Sequence, residues 1–339
     1  MKTWRRLLAL GVLVACAVPA SAQPVTLRHK FVANQLHAYR FYVNGQGQAG
    51  VSGLPEQGTL AVPFQVVMLT NLRQRVLGIK PDGVATLRTV VDDLTVRANG
   101  SFEGQSGSIE MTMDQAGQRV KLDGKEVPQP PEAKAQWKKV NFFGKPFLTR
   151  MGPRGQVVSV ELPERMATQF LPPGMDQASL AKQCQSLQIL LPEKPVSVGE
   201  VWETTVSTAL PGMPTPIKME VKSQLVSVKP DETGRQIATI QQTATVNADN
   251  LIFTVPVPAM PGQAEARSMS LRFDRLREMI SGPILWSVDE GQPVRMDLDV
   301  SMDIAMSMPT PMRNAQGQVQ TQAMQVFGVF QAKLAMARK

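Results

Sequence analysis

Val294-Arg295-Met296-Asp297-Leu298-Asp299-Val300-Ser301-Met302-Asp303-Ile304-Ala305-Met306-Ser307-Met308 alternates apolar with polar or small residues without a slip. Val294, Met296, Leu298, Val300, Met302, Ile304, Met306 and Met308 share one parity, with three aspartates, an arginine, two serines and an alanine on the other. Successive side chains of a strand point to opposite faces, so the first set covers a single face. At ~3.3 Å per residue the stretch runs about 50 Å, far past the usual strand of about 5–6 residues. A strand that long must curl, pair with long neighbours and cover something apolar on one side only. The expected fold is therefore mainly β, with long curved antiparallel sheets of half-barrel or sandwich type. Two related modules and one or two short helices complete the expectation.

Residues 1–22 read as a signal peptide rather than as structure. Lys2, Arg5 and Arg6 precede an apolar run from Leu7 to Ala17, and Ala20-Ser21-Ala22 before Gln23 forms an A-x-A cleavage site. That run is too short for a permanent bilayer span, and no later stretch is long enough, so no transmembrane helix is expected in the mature chain. Leu13-Val14-Ala15-Cys16 also resembles a bacterial lipobox, in which the cysteine is acylated. Soluble export and a lipid anchor on Cys16 both stay open. Either way the expected location is the periplasm, the cell envelope or the extracellular space.

The formal charge of +8 falls to +5 when Lys2, Arg5 and Arg6 leave. The remaining cations are scattered, with Lys138-Lys139 and Arg338-Lys339 the adjacent basic pairs in the mature chain. A nucleic-acid partner calls for a basic stripe with stacking aromatics or a known module, and neither is present. Cys184 is left without a partner once Cys16 is removed, so no disulfide forms within the mature chain. It reads as a small buried apolar residue.

Two internal correspondences suggest a duplication. Val76-Leu77-Gly78-Ile79-Lys80-Pro81-Asp82-Gly83 leads into Ala85-Thr86-Leu87, and Leu225-Val226-Ser227-Val228-Lys229-Pro230-Asp231 leads, past Gly234, into Ala238-Thr239-Ile240. Both read as strand, Pro-Asp turn, strand. Gly155 to Val160 after Phe147–Met151, and Gly291 to Met296 after Ile284–Val288, each read as a hairpin with glycine at the turn. Residues 23–165 then form an N-terminal β module, 166–192 a helical connector and 193–339 a C-terminal β module. The connector helix is expected from Met175 to Leu190, with Leu180, Cys184, Leu187 and Leu191 on one face and Asp176 as cap. A shorter helix is expected from Pro130 to Lys139. Asn99 to Ser108, rich in glycine and serine, reads as a hairpin tip. Met324 to Met336 fits strand or helix.

Motifs for chemistry are scarce. His29 and His37 are the two histidines, and in one strand they would share a face roughly 26 Å apart. No G-x-S-x-G, H-E-x-x-H or G-x-x-x-x-G-K occurs. Asp297, Asp299, Asp303 and the Asp92-Asp93 pair fall on polar strand faces, where solvation rather than acid–base chemistry is expected. Met302, Met306 and Met308 resemble copper(I) spacings. However, Met302 and Met306 stand about 13 Å apart along a strand, too far for one ion. No catalytic residue, metal ligand or cofactor is assigned. Methionine, 19 of 339 residues, instead suits a surface that fits varied apolar partners. Few aromatics are available for the girdles of an outer-membrane barrel, with two tyrosines and four tryptophans in the chain.

Leu191-Pro192-Glu193-Lys194-Pro195-Val196-Ser197-Val198-Gly199-Glu200-Val201-Trp202 resembles a P-x-K-x-V-x-V-G-x-x-W stretch of a family of exported bacterial β-rich proteins. The Lys80–Gly83 turn and Asp289-Glu290-Gly291 look like that group too. The family carries no assigned functional residues to transfer. Its general look is similar to the periplasmic lipoprotein carriers, which implies a curved half-barrel around a hydrophobic cavity. The expected function is a non-enzymatic envelope protein that binds lipid or another hydrophobic ligand. Val294, Met296, Leu298, Val300, Met302, Ile304 and Met306 would line the site, with the Met175–Leu190 helix as a lid. The alternative is a structural module with a filled core and an envelope protein as partner.

Overall fold

A computed structural model describes residues 23–54, 58–102, 105–163, 177–186, 188–208, 216–257, 267–313 and 319–339. Residues 1–22, expected to be a signal peptide and including Cys16, lie outside the described residues, as do Met175, Asp176 and Leu187. The chain is mainly β, built as one large antiparallel sheet that is not closed into a barrel.

The N-terminal half supplies β1 (Leu36–Leu54), β2 (Gly58–Ile79), β3 (Ala85–Phe102), β4 (Gln105–Asp114), β5 (Gln118–Leu122) and β6 (Lys125–Glu126). After α1 (Pro131–Val140) come β7 (Pro146–Met151) and β8 (Val157–Glu161), then α2 (Gln177–Ser186). The C-terminal half supplies β9 (Val201–Thr208), β10 (Ile217–Pro230), β11 (Gln236–Ala248), β12 (Leu251–Val257), β13 (Arg267–Ser287), β14 (Gln292–Arg313) and β15 (Val319–Arg338). The order along the sheet is β6-β5-β4-β3-β2-β1-β15-β14-β13-β11-β10-β9, with β12 on β13 and the β7–β8 hairpin on β3.

The two corresponding stretches match in register. Val76 faces Leu87, Gly78 faces Thr86 and Ile79 faces Ala85, with Leu77 bulged out. Leu225 faces Ile240, Ser227 faces Thr239 and Val228 faces Ala238, with Val226 bulged out. The next strand over repeats the match: Ala85 and Leu87 face Met151 and Thr149, while Ala238 and Ile240 face Trp286 and Ile284. Even the second bulge falls on the same rung, beside Met151 and beside Trp286. Upstream, Asn34 donates to the Val76 carbonyl and Gly199 to that of Leu225, each from a positive φ, +64° and +92°. Repeat one is thus β1-β2-β3-β4-β7-β8, and repeat two is β9-β10-β11-β13-β14. Two hairpins that merely share turn chemistry would not agree on bulges and on the third strand. Residues 115–145, which include α1, are an insertion that splits in repeat one what is the single strand β13 in repeat two.

β15 joins the repeats, pairing β14 along one side and β1 from Tyr39–Arg338 to Ser52–Gln325 along the other. The halves therefore share one sheet. A segment from 23 to 35 straps them together at the end that carries the Pro-Asp turns. Val25 pairs with Val196, His29 donates to the Pro153 carbonyl in the β7–β8 turn, and Lys30 donates to Gly291 in the β13–β14 turn. Gly291 sits at φ +62°, and a Cβ there would collide with the Lys30 backbone, so the strap requires glycine.

The core lies at this strapped end. Repeat one buries Val76, Ala85, Leu87 and Met151 with Phe31 against them. Repeat two buries the equivalent Leu225, Ala238, Ile240 and Trp286, and adds Leu27, Leu191, Val196 and Ile284. Burying such a side chain contributes about 1.5–3 kcal/mol, so these two clusters anchor the sheet.

Several expectations shift in detail. The connector helix is observed as Gln177–Ser186, shorter than Met175–Leu190, and Ala181 is its buried residue while Leu180 and Cys184 are half-buried. α1 starts at a proline as expected, and Asn141 after it donates its side-chain amide to the Asp114 carbonyl. Asn99 to Ser108 is the end of the β3–β4 hairpin as expected, with Asn99 to Phe102 and Gln105 to Ser108 paired as strand. Met324 to Met336 is strand.

Candidate functional site

All seven residues expected to line a ligand lie on β14, and the sheet brings every one but Val294 a paired neighbour from another strand. Met296 faces Met336, Leu298 faces Leu334, Val300 faces Ala332, Met302 faces Phe330 and Met306 faces Val326 across the β15 ladder. Val294 is the extra residue at the bulge beside Trp286. Directly paired residues share a face, so these rows can be followed strand by strand. One runs Ile280-Val300-Ala332-Gly45-Val66-Ala98-Ile109-Leu122, from β13 through β14, β15, β1, β2, β3 and β4 to β5. The next runs Met302-Phe330-Gly47-Phe64-Gly100. Phe64 and Phe330 lie stacked 6.1 Å apart over Gly47, where a side chain would strike Phe64. The apolar face that the β14 alternation implies is therefore continuous over eight strands.

Its burial changes along the strands. At the strapped end Met336 and Ile284 are buried, and Met296 and Leu298 pack against the repeat-two core. Beyond Val300, every residue of β14 through Met308 is only half-buried. α2 packs against β8 and β9, so among the described residues it does not cover β14. Glu278 also stands on this face, opposite Met302 and Val246. Burial pushes its carboxyl above the usual carboxylate range. Sequence parity alone hid it, because the bulge at Asp274 shifts the phase of β13.

On the other face the carboxylates are solvated and paired, as expected. Asp297 meets Arg295 at 2.6 Å, Asp303 meets Arg275 at 2.9 Å and Asp299 meets Lys333 at 3.7 Å. Asp92 pairs with Arg73, and Asp93 takes the Asn71 amide. Such exposed pairs contribute little stability.

The two histidines are not in one strand. Asn34, with φ +64°, turns the chain between them, and both reach the strapped end. His29 is packed parallel to Phe31 and edge-on to Trp286, with centroids 5.4 and 4.8 Å away. Burial lowers its pKa to about 4, partly offset by a hydrogen bond with Gln292. His37 adjoins Tyr39, whose hydroxyl donates to Gln292 Oε1 at 3.3 Å. Burial raises the Tyr39 pKa to about 12. His29 Nδ1, His37 Nε2 and Trp286 Nε1 are buried without a hydrogen-bond partner. Neither histidine hydrogen-bonds a serine or a carboxylate among the described residues. Cys184 is half-buried, and burial raises its thiol pKa, as suits a packing residue.

No family model matches the chain, and no curated protein matches it in sequence.

Proposed function

We propose that this is a non-enzymatic, exported envelope protein that binds lipid or another hydrophobic ligand on the apolar face of its long strands. One observation carries the reading. One apolar row crosses eight strands, and the row beyond it, from Met302 through Phe330, Gly47 and Phe64 to Gly100, is half-buried throughout, with nothing described packed over it. Contiguous apolar surface of this extent is costly to leave in water and marks a binding surface. The occupant that fits is an acyl chain: it is flexible, apolar along its length and tolerant of irregular walls. Met302, Ile304 and Met306 would supply contacts that adapt to it. Val294, Met296 and Leu298 would close the inner end of the site, where the core begins. Export rests on the sequence of residues 1–22, and a lipid anchor on Cys16 would place the same face at a membrane.

Native mass spectrometry of protein purified from its own envelope tests this. Extra mass that disappears on denaturation and extracts as lipid is the expected result, together with its loss in a folded Met302→Asp variant. A clean apo mass that also fails to take up a fluorescent fatty acid would sink the proposal.

A further inference from the structure

The opposite face carries a second feature. Four amides stand side by side on four adjacent strands: Gln331 pairs with Gln46, Gln46 with Gln65, and Gln65 with Asn99. Ser301 and Ser108 extend the row by one strand at each end. All four amides are exposed, and among the described residues none of their side chains hydrogen-bonds to the protein. The rows on one side behave differently, because there Lys333 pairs with Asp299, and Arg97 and Lys121 pair with Glu110. On β15, β1, β2 and β3 the amide row is both uncharged and unpaired.

It also runs along a shallow, open depression. A cavity of about 1000 Å³ lies over β1 to β4, and one of about 550 Å³ over β13 to β2. Both are lined by Gln46, Gln65 and Gln331, so they form one trough along the row. Each falls within the roughly 300–1,000 Å³ of ordinary ligand sites. We infer that this trough binds an extended, neutral oligosaccharide.

The chemistry of the row selects that class. An amide offers an acceptor oxygen and a two-proton donor side by side, which matches paired sugar hydroxyls that both donate and accept. Three charged residues also line the trough, but Lys333 and Asp299 pair with each other and Asp123 accepts from Ser108, so the row itself offers a charged ligand no free countercharge. An acyl chain would leave the amides without partners. The amides repeat at the strand spacing of about 4.8 Å, close to the advance per residue of an extended glycan. A peptide advances only about 3.3 Å per residue and docks on sheet edges through its backbone, here β6 and β9. The trough lies on the face opposite the apolar rows, so this inference and the lipid reading stand or fall separately.

The test uses protein with ¹⁵N-labelled glutamine and asparagine side chains, titrated with cellotetraose, maltotetraose and chitotetraose. At least one should shift the amide signals of Gln46, Gln65, Asn99 and Gln331. A Gln46→Met/Gln65→Met variant with an unchanged circular dichroism spectrum should bind about tenfold more weakly or worse. Gln325→Met, exposed on the same face but outside the trough, should bind like the parent. The inference is overturned if no tetrasaccharide moves these signals, if the double variant binds like the parent, or if a neutral extended peptide moves them and the sugars do not. A fatty acid that moves them would likewise overturn it.

Discussion

The two repeats use one backbone plan around cores of different size. Val76, Ala85, Leu87 and Met151 occupy the same rungs as Leu225, Ala238, Ile240 and Trp286, with both bulges in the same places. Repeat two adds Leu27, Leu191 and Val196 from the strap and connector, and an isoleucine, Ile284, where repeat one has Thr149. What is common is register, bulge and turn; what differs is volume. Glycine at positive φ and a Pro-Asp turn fix the backbone locally, whereas a core needs only to be filled, so side chains can vary if neighbours compensate. The tryptophan of repeat two is filled in by segments that reach over from the strap, and repeat one, without them, carries a methionine.

That contrast is open to measurement. Trp286→Ala should cost about 3–5 kcal/mol in urea unfolding, because a large ring surrounded on all sides leaves a cavity that cannot collapse. Met151→Ala should cost about 2–3 kcal/mol, near the low end for such truncations. Equal losses would mean that the two cores are energetically interchangeable, and the size difference would teach nothing.

A second test concerns the ring between the two cores. His29 touches Phe31 of one and Trp286 of the other, and is held neutral with a pKa of about 4 against 6.5 for a free histidine. A depressed histidine pKa means that the unfolded chain binds more protons than the folded one between those values. Stability is then complete above pH 6.5 and falls as the pH drops toward 4, by about 3 kcal/mol in all. Unfolding titrations across that window should show this slope, and His29→Phe should flatten it. An unchanged slope in the variant would place the acid sensitivity elsewhere.

The repeats were half legible in the sequence. The Lys-Pro-Asp turns, the Gly155 and Gly291 hairpins and the unbroken alternation of β14 are local signals, and they marked the strands correctly. Register between repeats was not legible, since a bulge at Leu77 or Val226 shows only when a partner strand is present. For the same reason the strap was missed: residues 25–31 have no periodicity of their own and are placed by Val196, Pro153 and Gly291. The candidate faces divide the same way. Parity named the β14 residues, but the extent of their rows, Glu278 among them and the amide row behind them all depend on pairings between residues up to nearly 300 positions apart.

The smallest expected effect compares the strapped end with the far end. Ile240 is fully buried beside Trp286, and Ile240→Ala should cost about 2–5 kcal/mol. Ile304 is half-buried and lies against Gly328, the glycine opposite it on β15. Truncating a side chain that already meets water removes little burial and opens no cavity, so Ile304→Ala should cost about 1 kcal/mol or less. The same substitution should weaken uptake of a fluorescent fatty acid, since a residue spared from holding the fold is free to hold a ligand. If Ile304→Ala instead unfolds the protein as readily as Ile240→Ala, the far end is packed in solution like the strapped end. The apolar rows would then be core, and the sheet would have no open face to offer a lipid.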